Sequence, residues 1–226
     1  MEEARKAYQE ALKTYRELTE KNPDAYLWYL ALTLADLGVL DRDQHRTEEA
    51  RKELDEALKI FRGLAKKNPQ AFLRNVADTL NDLGVLDRDQ NRMEEAWKEL
   101  GEALQIRREL TQKNPDAYLP AVADTLNDLG VLDRDQNRME EAQKELGEAL
   151  QIRRELAQKN PDAYLPDVAM TLSNLGVLNR DEKRAKEARK ELDETLRIYE
   201  SFAKEDPEQF SADVTRVKKL LEEVHQ

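Results

Sequence analysis

The sequence predicts an all-α solenoid of antiparallel helix pairs, about ten helices in all, and three observations lead there. Asn-Pro recurs at Asn22-Pro23, Asn68-Pro69, Asn114-Pro115 and Asn160-Pro161, with Asp206-Pro207 closing the series, and the spacing is 46 residues every time. Between these marks Leu-Gly-Val-Leu returns at residues 37–40, 83–86, 129–132 and 175–178. Only seven Gly and seven Pro occur in 226 residues, too few turn signals for a sheet-rich chain. A fixed period of this size marks units that bury their apolar faces by stacking on one another.

Each unit reads as two helices. The first runs from just after Asn-Pro to the Asp-Arg-Asp stretch, with Ala77, Leu80, Leu83, Gly84 and Leu86 at helical spacing. Asn before Pro is biased away from helix and Pro can open the next one, so stop and restart are encoded together. Pro120 and Pro166 interrupt this helix in the third and fourth units; residues 115–119 are expected to form a separate turn, with regular helix from Pro120. His45, Asn91, Asn137 and Lys183 sit where the chain must turn. The second helix opens at Met93-Glu94-Glu95-Ala96, with acids in the turn that the helix dipole favours, and continues through Leu100, Ala103, Leu104, Ile106 and Leu110.

The expected organisation is one array over residues 1–226. A half-unit at 1–21 aligns with a second helix; full units follow at 22–67, 68–113, 114–159 and 160–205. Residues 206–226 align with a first helix and carry Lys218 and Lys219 at places apolar or small upstream, the polar face of a cap. The second and third units differ at six positions, counting from Pro69 and Pro115, which implies recent duplication or design.

Composition narrows the function. Charged residues reach 38% against 39% apolar, which suits thin helical stacks with much wet surface, and the net charge of −11 opposes nucleic acid and anionic membranes as partners. The chain has no Cys, so disulfides, thiolate metal sites and Cys nucleophiles drop out. No apolar run of about 18 residues exists, and the charged opening lacks a signal-peptide core, so the expected place is the cytoplasm. His45 and His225 are the two histidines, neither with a second at metal spacing. The acids repeat on solvated faces, and no phosphate loop is present. No enzyme, cofactor or metal is expected.

The quoted residues resemble the tetratricopeptide repeat family. Gly38, Gly84, Gly130 and Gly176 match its small residue where the helices of a unit cross. Ala50, Ala96, Ala142 and Ala188, then Ala57, Ala103 and Ala149, match its small residues on the second helix, and Thr195 departs. The stretches Thr79-Leu80-Asn81-Asp82-Leu83 and Arg88-Asp89-Gln90-Asn91, with Ile-Arg-Arg-Glu-Leu, look like the longer, kinesin-light-chain-like repeats of prokaryotic proteins. The resemblance implies a right-handed superhelical solenoid that acts as a protein-binding scaffold. One departure stands out: Asp41, Asp87, Asp133 and Asn179 occupy a position where the family has Tyr. They are expected at the surface, or else paired with nearby arginines.

In this family the first helices line a concave groove for an extended peptide or a partner helix. Position by position, that groove would show Asn81, Asn127 and Ser173, with Ala35 in the first unit. Beside these come Asp36, Asp82, Asp128 and Asn174, then Val39, Val85, Val131 and Val177, then Arg42, Arg88, Arg134 and Arg180. An Asn amide can both donate to and accept from a peptide main chain, and the Asp row would attract Lys or Arg. The expected partner is therefore a basic or neutral protein or peptide. A clamp for a C-terminal carboxylate has no Lys or Arg to make it, and an acidic Trp-bearing cargo would meet the Asp row. Trp97 stands where its equivalents Arg51, Gln143 and Arg189 are polar, so it is expected to be partly exposed and is a candidate for self-association. Two other readings stay open: a structural, self-assembling section, and a designed or consensus-like array without a natural ligand.

Overall fold

Asn-Pro sets where each first helix begins. The structure is a computed structural model describing residues 2–224, and His225 lies outside the described residues. The side-chain oxygens of Asn22, Asn68, Asn114 and Asn160 accept from the backbone N–H three residues on, at 3.3–3.4 Å, with Pro in the first helical turn. Asp206 caps in the same way at 3.0 Å. An N-cap acceptor and a Pro that needs no N–H partner together satisfy the helix start.

The chain divides into two compact units between Lys113 and Asn114. The first holds α1 (Glu2–Lys21), α2 (Pro23–Asp43), α3 (Thr47–Lys67), α4 (Pro69–Asp89) and α5 (Met93–Thr111). The second holds α6 (Pro115–Asp135), α7 (Met139–Lys159), α8 (Pro161–Asp181), α9 (Ala185–Phe202) and α10 (Pro207–Glu223). These ten helices are the whole secondary structure of the described residues. Within each unit every helix packs on its sequence neighbours, and the first helices also touch one another, α2 on α4 and α6 on α8.

Pro120 and Pro166 lie inside continuous helices, contrary to the expected turn over 115–119. What Pro120 forgoes is one bond to the carbonyl of Asp116, four residues back. Asp116 is in the exposed first turn, where water serves that carbonyl, so the cap outweighs the loss.

Two residues beyond the end of α2, α4, α6 and α8 stands a residue with positive φ: His45 at 58°, and Asn91, Asn137 and Lys183 at 60°. In the first turn His45 N–H bonds to the Arg42 carbonyl and Arg46 N–H to that of Asp41, at 2.9 and 2.8 Å, which closes the last carbonyls of α2. The same pair of bonds recurs at the other three turns. The chain therefore reverses tightly, and α3, α5, α7 and α9 run back along their partners.

The crossing of each pair is as close as the sequence implies. A Cβ added to Gly84 or Gly130 would stand 2.6 Å from Cγ of Leu100 or Leu146, and one on Gly38 or Gly176 2.7 Å from Cγ of Leu54 or Leu192. Those leucines are fully buried, as are Ala50, Ala96, Ala142 and Ala188 beside them. In the first unit one core runs from Leu30 and Leu34 through Leu54 and Phe61 to Leu80 and Leu83. Tyr29 stacks on Tyr15 of α1 at 5.6 Å, and Trp28 meets Tyr29 edge-on at 4.6 Å. In the second unit α10 buries Phe210 and Val217 against α9, while Lys218 and Lys219 stay exposed.

Asp41, Asp87, Asp133 and Asn179 are not at the surface. They are 0, 0, 1 and 3% exposed, and arginines hold the acids there. Arg5 reaches Asp41 with two bonds, 2.6 and 3.0 Å, and Arg46 adds a third contact at 3.4 Å. Asp87 pairs with Arg51 and with Arg92, the latter at 2.7 Å. Asp133 pairs with Arg138, and Asn179 donates its amide to Glu191 at 2.6 Å. Arg46, Arg92, Arg138 and Arg184 are N-cap residues that make no side-chain cap. For the first three, pairing with the buried acid explains the choice of residue. Removing one partner of such a buried pair leaves a stranded charge, at a cost of about 3–5 kcal/mol.

A second acid adjoins each cluster. Burial pushes Glu53 and Glu99 up to about 7 and Glu145 up to about 8, and raises Glu191 also. For Glu145 burial is the first cause, the neighbouring Asp133 and Glu141 add to it, and Arg138 opposes it.

Two outcomes follow from this packing. Gly130→Ala forces Leu146 aside and lowers stability by about 1–3 kcal/mol, whereas Gly147→Ala, with no atom within 4 Å of the new Cβ, raises it by about 0.5–1 kcal/mol. Urea midpoints at unchanged slope measure both. A Glu pKa raised from 4.5 to about 8 on folding gives a contribution that is complete below about 4.5 and is lost as pH rises through 8. Glu145→Gln keeps the donor without the ionisation, so its melting temperature relative to the parent should rise between pH 5 and pH 9. A constant difference across that range contradicts the raised Glu145 pKa.

Candidate binding face on the first helices

Helical spacing brings the candidate residues onto the sides of α2, α4, α6 and α8 where first helices meet. In the first unit Arg42 of α2 reaches Asp82 of α4 at 3.2 Å. Burial pushes Asp82 up to about 6, with Arg42 pulling the other way. Asn81 accepts from Arg107 of α5 at 2.9 Å, and that arginine also holds Asp78 at 2.7 Å. Arg88 bonds to its neighbour Asp89 at 2.9 Å. Asp36 keeps exposed surface, while desolvation of its carboxyl raises its pKa.

In the second unit Asn127 is buried and accepts from Asn174 Nδ2 at 2.9 Å, joining α6 to α8. Asp128 is half-buried and engaged in the chain. Arg134 bonds to Asp135 at 2.7 Å, while Arg180 bonds to Asp181 and reaches Glu223 of α10 at 2.6 Å. Val39, Val85, Val131 and Val177 are all half-buried. The amides of Asn81 and Asn127 thus serve the fold, while the valines and Asp36 keep open surface.

Two buried arginines were not anticipated. Arg107 and Arg153 are 7 and 1% exposed. Arg153 bonds to the Asp167 carbonyl at 3.0 Å, Thr171 Oγ1 at 2.5 Å and Asp124 at 2.7 Å, crossing from α8 to α6. The 46-residue register holds Phe61, Arg107, Arg153 and Tyr199, and both aromatics are buried too. Aromatics at the two ends of that series were the sequence signal for a buried slot. Trp97 on α5 is 48% exposed, as its polar equivalents suggested.

Among the described residues no helix is long and apolar enough to cross a membrane, and no three His, Asp or Glu are grouped to hold a metal. Paired helices joined by tight reversals, with a shared face on the first members, define a helical-repeat scaffold of the kind that engages other proteins. The chain belongs to the tetratricopeptide repeat family, whose signatures match residues 75–155 and 168–201. That family is one of non-catalytic scaffolds.

Solved structures share the fold. BtubC (BKLC) from P. vanneervenii, a kinesin-light-chain-like protein, is 21% identical and superimposes with a TM-score of 0.74, over 99% of this chain and 82% of its own. MamA is 16% identical at a TM-score of 0.57, over 87 and 91% of the two chains. Pseudomonas aeruginosa pilF is 21% identical at 0.54, over 86 and 76%. No curated protein matches the sequence. These likenesses establish the solenoid fold, and the particular partner is a separate question.

Proposed function

We propose that this chain is a non-catalytic scaffold that takes an extended peptide or a partner helix, basic or neutral, along the exposed face of its first helices. The observation that carries the reading is the pair of half-covered valines on the first helices of each unit. Val39 and Val85 in one unit, and Val131 and Val177 in the other, are each left half-covered by the chain itself. Asp36 stands beside Val39 with exposed surface in the first unit, Asp82 being held by Arg42, and the whole chain carries −11. Shallow apolar contact with an acidic border suits a segment that supplies small apolar groups and cations.

A second reading rests on Trp97, whose exposed indole on α5 suits contact with another copy. An unbiased peptide-display screen on the intact chain, with hydrogen exchange on the hits, separates the two. The scaffold reading expects basic or neutral extended peptides that protect α2, α4, α6 or α8. Their affinity should fall as salt rises and the screening length drops from about 10 Å at 0.1 M to about 3 Å at 1 M. Hits that protect only second helices, or basic hits that ignore salt, overturn it. Sedimentation on dilution completes the comparison: a chain monomeric at all concentrations supports the scaffold, and a dimer abolished by Trp97→Gln supports self-assembly.

A further inference from the structure

A cavity of about 150 Å³ opens on the first-helix face between α2 and α4. Leu32, Ala35 and Val39 of α2 line it with Phe61 of α3, and Asp36, Asp78 and Asp82 stand among its walls. Pockets for drug-sized ligands run to about 300–1,000 Å³, so this one has room for a single long side chain.

The second unit contains a version of the same place already filled. Moving back two repeats, Asp124, Asp167 and Thr171 become Leu32, Asn75 and Thr79, and all three line the cavity. In the second unit their counterparts surround the guanidinium of Arg153. The residue at the Arg153 register in the first unit is Phe61, which brings no cation. The acids change in both directions: Asp78 and Asp82 stand where the second unit has Met170 and Asn174, while Leu32 replaces Asp124, the acid that pairs with Arg153, and Asp36 is kept as at its counterpart Asp128. Arg42 and Arg107 answer Asp82 and Asp78, which leaves Asp36 over.

We infer that the α2–α4 cavity receives an arginine side chain from the bound partner, taking the place that Arg153 fills internally in the second unit. The methylene stem lies against Leu32, Ala35 and Val39, and the planar fork meets the Asn75 carbonyl, the Thr79 hydroxyl and Asp36. Thr79 donates its own proton to the Asn75 carbonyl at 2.8 Å, as Thr171 does to Asp167 at 3.2 Å, so the hydroxyl oxygen remains an acceptor in both units. Arginine fits better than lysine because it presents several donors in one plane to acceptors on two helices. This assignment rests on the first-helix reading above and adds a single anchoring side chain to it.

The probes are capped pentapeptides Ala-Ala-Xaa-Ala-Ala with arginine, lysine or the neutral isostere citrulline at the centre, titrated into the intact chain and followed by methyl NMR. The arginine peptide should shift the methyls of Leu32, Ala35, Val39 and Thr79. Citrulline should bind about tenfold or more weakly, the loss expected for a charge-assisted bond. Asp36→Asn, at an exposed position that the fold does not use, should weaken the arginine peptide by a similar factor. Phe61→Arg should fill the cavity from within and abolish those shifts, as Arg153 fills its own site. Equal binding of the arginine and citrulline peptides, or no effect of Asp36→Asn, overturns the inference. If display-selected peptides still protect the first helices in that case, the scaffold reading survives; if nothing protects them, both fall.

Discussion

The close crossing of the two helices in each pair is the constraint on which the rest depends. Gly38, Gly84, Gly130 and Gly176 bring backbone against the buried leucine of the partner helix, leaving no space for even a methyl group. That approach is possible because the turn between them reverses in a few residues, with one residue in the left-handed region and two bonds to the last carbonyls. Everything further out inherits the geometry. Once α2 and α3 are locked, α4 lies against both, and the sides of α2 and α4 form a continuous face.

Charge follows the same logic at two depths. At the base of each first helix, buried acids are held by arginines or by an amide, so the fold spends polar contacts inside itself. On the face above, several residues that looked available are already engaged: Asp82 with Arg42, Asn81 with Arg107, Asn127 with Asn174. What stays open is narrower than a row of acids, namely the half-covered valines of each unit and one carboxylate beside a cavity. Near-identical repeats therefore do not make identical surfaces. Where the second unit has Arg153 and Asp124, the first has Phe61, itself buried, and Leu32, with a cavity of about 150 Å³ beside them.

Much of this architecture was legible because the repeat repeats its errors as well as its rules. The Asn-Pro marks gave the helix starts, the glycine–leucine register gave the crossings, and His45, Asn91, Asn137 and Lys183 gave the turns. The prolines misled because a rule about isolated helix interiors was applied to Pro120, whose lost bond falls in an exposed first turn below a strong cap. For the buried acids the surface expectation failed and the arginine alternative held: Asp41 and Asp87 each pair with an arginine five residues on, and with a second one from the preceding second helix, 36 residues earlier in both cases. That constant offset was present in the sequence, yet only the three-dimensional neighbour relation gives it meaning. On the binding face, helical spacing found which residues share a side, but it could not tell an amide that faces a guest from one that bonds to its neighbour.

A double-mutant cycle at one crossing tests the central constraint most directly. Gly84→Ala and Leu100→Ala would be compared singly and together by chemical unfolding. Leu100→Ala alone removes a fully buried side chain and costs about 2–5 kcal/mol. If the new methyl of Gly84→Ala clashes with Leu100, truncating that leucine relieves it, and the second substitution then costs less than about 0.5 kcal/mol. Costs that simply add, with Gly84→Ala as damaging without the leucine as with it, would mean that the helices are not held together at this point.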